Sequence, residues 1–200
     1  VTGPALTIER VSGAAIEPFL QDVAALRIEV FREYPYLYRG TLAYESRYLQ
    51  SYAASPRSVV VVARDGVQVV GAATAVPLAQ HSESVAPALI AAGYAASDVY
   101  YFGESVLRAS YRGRGIGHAF FDGREAAARE FGFRVATFCA VERPDDHPRK
   151  PPGYVPHDAF WTKRGYTKRP DIVSEFAWLD VDEANETTKR MVFWVKELSR

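Results

Sequence analysis

Three glycines alternate with other residues in Arg112-Gly113-Arg114-Gly115-Ile116-Gly117-His118. Such a string continues neither a strand nor a helix well, because glycine gives up the most backbone freedom in either. Its flanks do the opposite. Val99–Arg108 (VYYFGESVLR) is rich in β-branched and aromatic residues and reads as a strand. Gly117–Phe131 reads as a helix, with Phe120, Gly123, Ala127 and Phe131 along one side and Gly132 as its stop. The chain must therefore turn sharply from strand to helix at this point. That layout suits an anion: the first amides of a helix have no internal partner, and the helix dipole is positive there. Glycines let the backbone approach closely, and Arg112 and Arg114 add charge and donors. The plainer reading is a glycine-rich connection with solvated arginines.

Two familiar phosphate-binding strings are excluded. The nucleotide P-loop needs Gly-x-x-x-x-Gly-Lys-Ser/Thr, which does not occur. The dinucleotide fingerprint Gly-x-Gly-x-x-Gly, started at Gly113, fails at His118. A third pattern, Arg/Gln-x-x-Gly-x-Gly/Ala between a strand and a helix, is met by Arg112, Gly115 and Gly117.

The rest of the chain supplies a frame. Leu6–Val11 reads as a strand, and Glu17–Glu33 as a helix in which Phe19, Leu20, Val23, Leu26, Arg27 and Val30 share helical spacing. Leu42–Tyr52 is a second helix, with Tyr44, Tyr48 and Tyr52 four residues apart. Ser58–Ala63 and Val67–Ala75 flank Asp65-Gly66, a strong hairpin signal. Pro87–Ala92 is a short helix, Phe133–Val141 a strand, Glu142–Pro156 a proline-rich loop, and His157–Arg164 a short helix stopped by Gly165. Val173–Leu179 and Arg190–Leu198 are the last strands, and they could offer a pairing edge for a homodimer. The 200 residues contain no repeat and no linker, so residues 1–200 are expected to form one α/β domain.

Composition narrows the partners. Lys+Arg and Asp+Glu are 24 each, which removes the basic excess that non-specific nucleic-acid binding needs. Within that balance, Arg108, Arg112 and Arg114 concentrate positive charge beside the helix start. One cysteine excludes an intrachain disulfide framework. No apolar run approaches a membrane span, and Val1–Arg10 lacks the layout of a secretory leader. The expectation is a cytoplasmic protein with no membrane and no nucleic-acid partner.

The strand leading into RGRGIG, together with Phe160-Trp161-Thr-Lys-Arg-Gly165-Tyr166 later on, resembles the GNAT superfamily of acyl-CoA-dependent N-acyltransferases. The resemblance covers nearly the whole chain. It implies an α/β (α+β) fold: a mixed, mostly antiparallel sheet flanked by helices, with a splayed central strand pair. It further implies acetyl-CoA as co-substrate. The pyrophosphate would rest on the amides of Arg112, Gly113, Arg114, Gly115, Ile116, Gly117 and His118. The pantetheine arm would pair with the strand edge at Val106, Leu107 and Arg108, and a free edge is chemically suited to an amide-bearing arm.

Attack on a thioester needs a neutral amine. At pH 7 only about one part in 2,500 of a lysine-like amine is neutral, so a general base helps. Glu104, alone in an apolar and aromatic strand, is the candidate; the alternative is a structural carboxylate. Many members of the family protonate the leaving thiolate with a tyrosine in the last short helix, where this chain has Trp161, an indole that is no useful acid. Tyr154, His157 and Cys139 are near in sequence, but spacing selects none, and a thiolate can also leave unprotonated. Glu33, Tyr36 and Tyr38, between the first two helices, are candidates for holding the amine. Asp145-Asp146-His147 lacks metal-ligand spacing, so no metal is expected. Cys139, in an apolar strand, reads as an inert thiol rather than a nucleophile. The reading is an N-acetyltransferase acting on a small-molecule amine by direct attack. The alternatives are a coenzyme-A-binding sensor without catalysis, a protein or peptide acceptor, or a longer acyl group.

Overall fold

The computed structural model describes residues 6–81 and 84–199. The expectation about Val1–Arg10 therefore lies partly outside the described residues. Among these, one seven-stranded sheet runs in the order β1-β2-β3-β4-β5-β7-β6, and every neighbouring pair is antiparallel except β4–β5. The strands are β1 (Leu6–Ser12), β2 (Val59–Asp65), β3 (Gln68–Pro77), β4 (Val99–Leu107), β5 (Val135–Val141), β6 (Thr167–Trp178) and β7 (Thr187–Glu197). The helices are α1 (Leu20–Phe31), α2 (Leu42–Ala54), α3 (Ala86–Ala91), α4 (Ile116–Glu130) and α5 (Asp158–Lys163). This is the mixed, mostly antiparallel, helix-flanked sheet expected.

Hydrophobic alternation divides the helices between the two faces. On one face Val23, Leu26, Leu49 and Tyr52 of α1 and α2 pack on Val60, Val62, Ala72 and Val106. On the other, Ile116 and Phe120 of α4 pack on Val61, Ala63, Val70 and Ala73. Further along that face Phe121 and Ala128 meet Tyr100, Phe102, Phe138 and Trp194. β2 and β3 are buried on both faces and so read as nearly continuous apolar runs.

Two boundaries and one edge differ from the sequence reading. The first helix starts at Leu20, because Gly13–Phe19 winds as a tighter 3₁₀ segment containing Pro18. β6 starts six residues early, at Thr167; Pro170 lies inside it and its register shifts between Arg169 and Val173. An edge strand tolerates a proline there, since no ladder bond is lost on the open side. Of the two C-terminal strands only β6 is an edge. β7 lies inside the sheet between β5 and β6, so it offers no pairing edge.

Candidate functional site

β4 and β5 are parallel neighbours only at Val99↔Val135, Tyr100↔Ala136 and Tyr101↔Thr137. Beyond that point β5 continues alongside β7 as far as Val141↔Met191, while β4 continues alongside β3. The central pair is splayed, and among the described residues no strand lies beside one side of β4 from Phe102 onward. Alternation then decides which backbone groups face the gap. The Arg108 N–H donates to Val70 C=O on β3, and the Arg108 C=O accepts from Tyr111. Ser105 and Leu107 therefore turn their amides and carbonyls away from β3, and Val106 turns its own toward it. Of the expected edge residues Val106, Leu107 and Arg108, only Leu107 presents its backbone outward, and Ser105 joins it. The Leu107 C=O already accepts from Arg112 Nε at 3.2 Å.

The glycine turn lies where β4 hands the chain to α4. Gly113 and Gly115 have φ of +77° and +79°, conformations that other residues adopt only with strain. Arg112 N–H is bonded to Ala109 C=O, and His118 N–H to Gly115 C=O. Between them, the amides of Gly113, Arg114, Gly115, Ile116 and Gly117 donate to no backbone carbonyl among the described residues. No acidic residue occupies the first turn of α4, so no side chain of that turn offsets its positive end. Of the seven amides of Arg112–His118, five therefore have no backbone acceptor and two do. The arginine side chains are also less free than their spacing implied. Arg108 pairs with Glu29 at 3.1 Å and Arg112 with Glu33 at 2.8 Å, both glutamates coming from α1 and the residues just after it. Arg114 donates to Ser110 C=O and lies over the Tyr111 ring. His118 packs edge-on against Phe160, with Nδ1 3.3 Å from an Arg164 nitrogen.

Glu104 owes its orientation to a β-bulge. Ala73 pairs with Ser105 and Ala75 with Phe102, so Gly103 and Glu104 together oppose the single residue Thr74. Before the bulge Tyr100 and Phe102 face α4; after it Ser105 does, and its hydroxyl accepts from Arg124 Nη2 at 2.8 Å. The extra residue turns Glu104 to the face of α1 and α2. Gly103 is required by space: a Cβ would overlap the Tyr52 hydroxyl and stand 2.7 Å from Thr74 Oγ1. Arg124, fully buried, donates to both Thr74 C=O (3.3 Å) and Glu104 C=O (3.2 Å) and fastens the bulge from beneath. Burial pulls its guanidinium down to about 10.

On the α1/α2 face, Glu104 Oε2 lies 2.6 Å from Arg27 Nη1 and accepts from the Tyr48 hydroxyl at 3.4 Å. Its Oε1 is buried without a partner. Burial raises the Glu104 carboxyl above the ordinary range, and Arg27 offsets part of that rise.

The sequence matches the acetyltransferase (GNAT) family over residues 23–150. The chain belongs to the GNAT family. No curated protein sequence matches it. Solved structures share the fold at low identity. The N-acetyltransferase from Staphylococcus aureus Mu50 gives a TM-score of 0.61 at 13% identity, covering 98% of this chain and 99% of that one. The ribosomal-protein-alanine N-acetyltransferase from Brucella melitensis gives 0.61 at 16%, covering 96% and 99%. The Salmonella typhimurium protein yncA, solved with its cofactor acetyl-CoA, gives 0.60 at 11%, covering 98% and 95%.

Within this GNAT fold the remaining candidates fall in different places. Glu33 is exposed and paired to Arg112, beside the glycine turn rather than among the tyrosines. Tyr36 is on the α1/α2 side, between Phe31 (4.5 Å) and Trp178 (6.2 Å). Its C=O accepts from Arg143 Nη2 and Trp178 Nε1, and Arg143 pairs with buried Asp180 at 2.8 Å. Tyr38 forms a β-bridge with Asp180, and its phenol is raised by burial and by neighbouring Glu45. Trp161 is partly buried and packs against the core at Phe138 (5.0 Å) and Trp194 (5.1 Å). Cys139 is buried 3.1 Å from the Tyr101 hydroxyl, and burial pushes its thiol up to about 12. His147 Nδ1 accepts from the Arg149 amide, which makes it a turn residue. Among the described residues, no three His, Cys, Asp or Glu side chains gather as a metal-binding group, and no helix is long and apolar enough to cross a membrane.

Sequence reasoning missed Gly103, Ser105, Arg124, Glu45 and the pairing role of Arg27. Two signals were present: an isolated glycine inside a strand is a bulge marker, and Arg27 interrupts an apolar stripe that should be core.

Proposed function

We propose that residues 1–200 act as one domain that transfers the acetyl group of acetyl-CoA to the amine of a small molecule by direct attack. One observation carries this reading. The splayed edge of β4 runs directly into five unengaged amides at the start of α4, and the bulge on that same strand presents Glu104. The residues present fit the co-substrate. The amides of Gly113 to Gly117 suit a pyrophosphate, and the outward groups of Ser105 and Leu107 suit an amide-bearing arm.

Acetyl-CoA supplies a thioester, whose C–S bond breaks as the amine forms its C–N bond. Glu104 Oε1, the buried carboxylate oxygen without a protein partner, takes the amine's proton through an intervening water. Arg27 and Tyr48 hold Oε2 and so fix the carboxylate's direction. Tyr36 and Tyr38, in the α1–α2 connection on the same side of the sheet as Glu104, would meet the amine. The leaving thiolate needs no acid from Trp161, because thiols ionise near neutral pH.

Thermal shift and an amine panel test the reading. Acetyl-CoA at millimolar concentration should raise the melting temperature, and Gly115→Asp should abolish the shift by adding a negative charge and straining a positive φ. Mass detection across the panel should find an acetylated amine. Absence of the shift would remove the acetyl-CoA assignment. A shift with no product on any amine would favour a coenzyme-A sensor.

A further inference from the structure

Glu45 belongs to α2, is fully buried, and has no part in the reaction described so far. Its Oε2 accepts a hydrogen bond from Arg27 Nε. The same guanidinium reaches Glu104 Oε2 through Nη1. One cation therefore serves two buried carboxylates, one from α2 and one from β4. Its group lies over the rings of Phe31 (5.1 Å) and Tyr48 (4.5 Å), which limit its movement. Each carboxylate is left with one buried oxygen, Oε1, that has no partner.

Such an arrangement is costly as plain architecture. Two buried anions on one cation leave an excess negative charge, and a fully paired or apolar core would be more stable. The planar guanidinium does supply geometry. It donates in fixed directions, so anchoring it at Glu45 sets where Nη1 meets Glu104. The two anions also repel each other, which offsets part of the hold that the shared cation has on each.

We infer that Glu45 and Arg27 are positioning residues for the acyl transfer: Arg27 clamps Glu104 through Oε2 and leaves Oε1 as the proton-accepting oxygen, while Glu45 anchors Arg27 and offsets part of its charge at Glu104. The inference rests on Glu104 being the general base. The charged and titratable groups facing Glu104 are Arg27 from α1, Glu45, Tyr48 and Tyr52 from α2, and Arg124 from α4, which holds the Glu104 carbonyl. His81 lies behind Tyr48 and Tyr52 and is held down to about 4 by burial and by Arg27, so it stays neutral through the relevant range.

Two substitutions should move Glu104 in opposite directions. Glu45→Gln removes one anion but keeps an oxygen for Arg27 Nε, so Glu104 should titrate lower. Arg27→Gln removes the cation, so Glu104 should titrate higher. Shifts of about one pH unit or more are expected. The experiment follows the side-chain carboxyl carbons of ¹³C-glutamate-labelled full-length protein by NMR, with Glu104→Gln identifying the Glu104 signal. Acetyl transfer to an amine found by the panel is measured over the same pH range. Opposed shifts, matched by the acidic limb of the rate, support the proposal. An unmoved Glu104 signal in Glu45→Gln overturns it, and that variant decides alone if Arg27→Gln does not fold. The underlying reading fails differently: Glu104 shifts as expected, yet Glu104→Gln leaves the rate and its acidic limb intact.

Discussion

Arg27 Nη1 stands 2.6 Å from Glu104 Oε2, with the two side chains 11% and 1% exposed. Burial raises the Glu104 carboxyl and Arg27 only partly restores it, so the group loses its proton above the ordinary carboxylate range. A base works only when deprotonated. Turnover should therefore rise with pH through a limb above the free-glutamate value, and Glu104→Gln should remove that limb and lower turnover about 10²–10⁴-fold. Acetyl-CoA affinity should be nearly unchanged, as calorimetry would show. The sign for stability is the reverse. Folded Glu104 keeps its proton to a higher pH than the unfolded chain, so its contribution to stability falls as pH rises through that window.

Gly103→Ala tests the bulge. A methyl group would run into the Tyr52 hydroxyl and Thr74 Oγ1, so the bulge or the tyrosine must move. Stability should fall by about 1–3 kcal/mol. Turnover should fall further than that loss explains, because Glu104 moves with the bulge. Removing the obstructing hydroxyl with Tyr52→Phe in the same chain should recover part of both, read by thermal melts and product formation.

Cys139 separates direct attack from a ping-pong route. Its thiol, raised to about 12 and closed to solvent, should resist alkylation at pH 8 until the protein unfolds. Cys139→Ala should keep acetyl transfer within a few-fold, and intact-protein mass should show no acetylated intermediate.

Arg143 fixes the chain that carries Tyr36. It donates to the carbonyls of Pro35 and Tyr36 and pairs through two nitrogens with Asp180. Arg143→Met should cost about 3 kcal/mol, since it leaves Asp180 with Lys189 as its remaining cation. Kinetically it should raise KM for the amine while leaving KM for acetyl-CoA near its original value.

The turn at Arg112–His118 and the order of its flanking elements were legible because glycine, β-branched and helical patterns are local. The hairpin at Asp65-Gly66 was legible for the same reason. What escaped was set by partners distant in sequence. Nothing near Arg108 or Arg112 announces Glu29 or Glu33, so their positive charge looked freer than it is. Glu104 was singled out by its apolar strand, but the residues that aim it come from α1, α2, β3 and α4. The early start of β6 was hidden by Pro170, which only an edge position makes tolerable.

The bulge at Gly103-Glu104 has one more consequence. A strand is read in twos, like a script with a two-letter frame. The extra residue opposite Thr74 shifts that frame, so odd positions face away from α4 upstream and even positions do so downstream. Deleting one residue between Phe102 and Glu104 would restore a single frame along the strand. The carboxylate would then keep its direction toward α1 and α2, because Glu104 would directly follow Phe102; with Gly103 kept and the bulge ironed into regular alternation from Phe102, it would be addressed to α4, on the wrong side of the sheet.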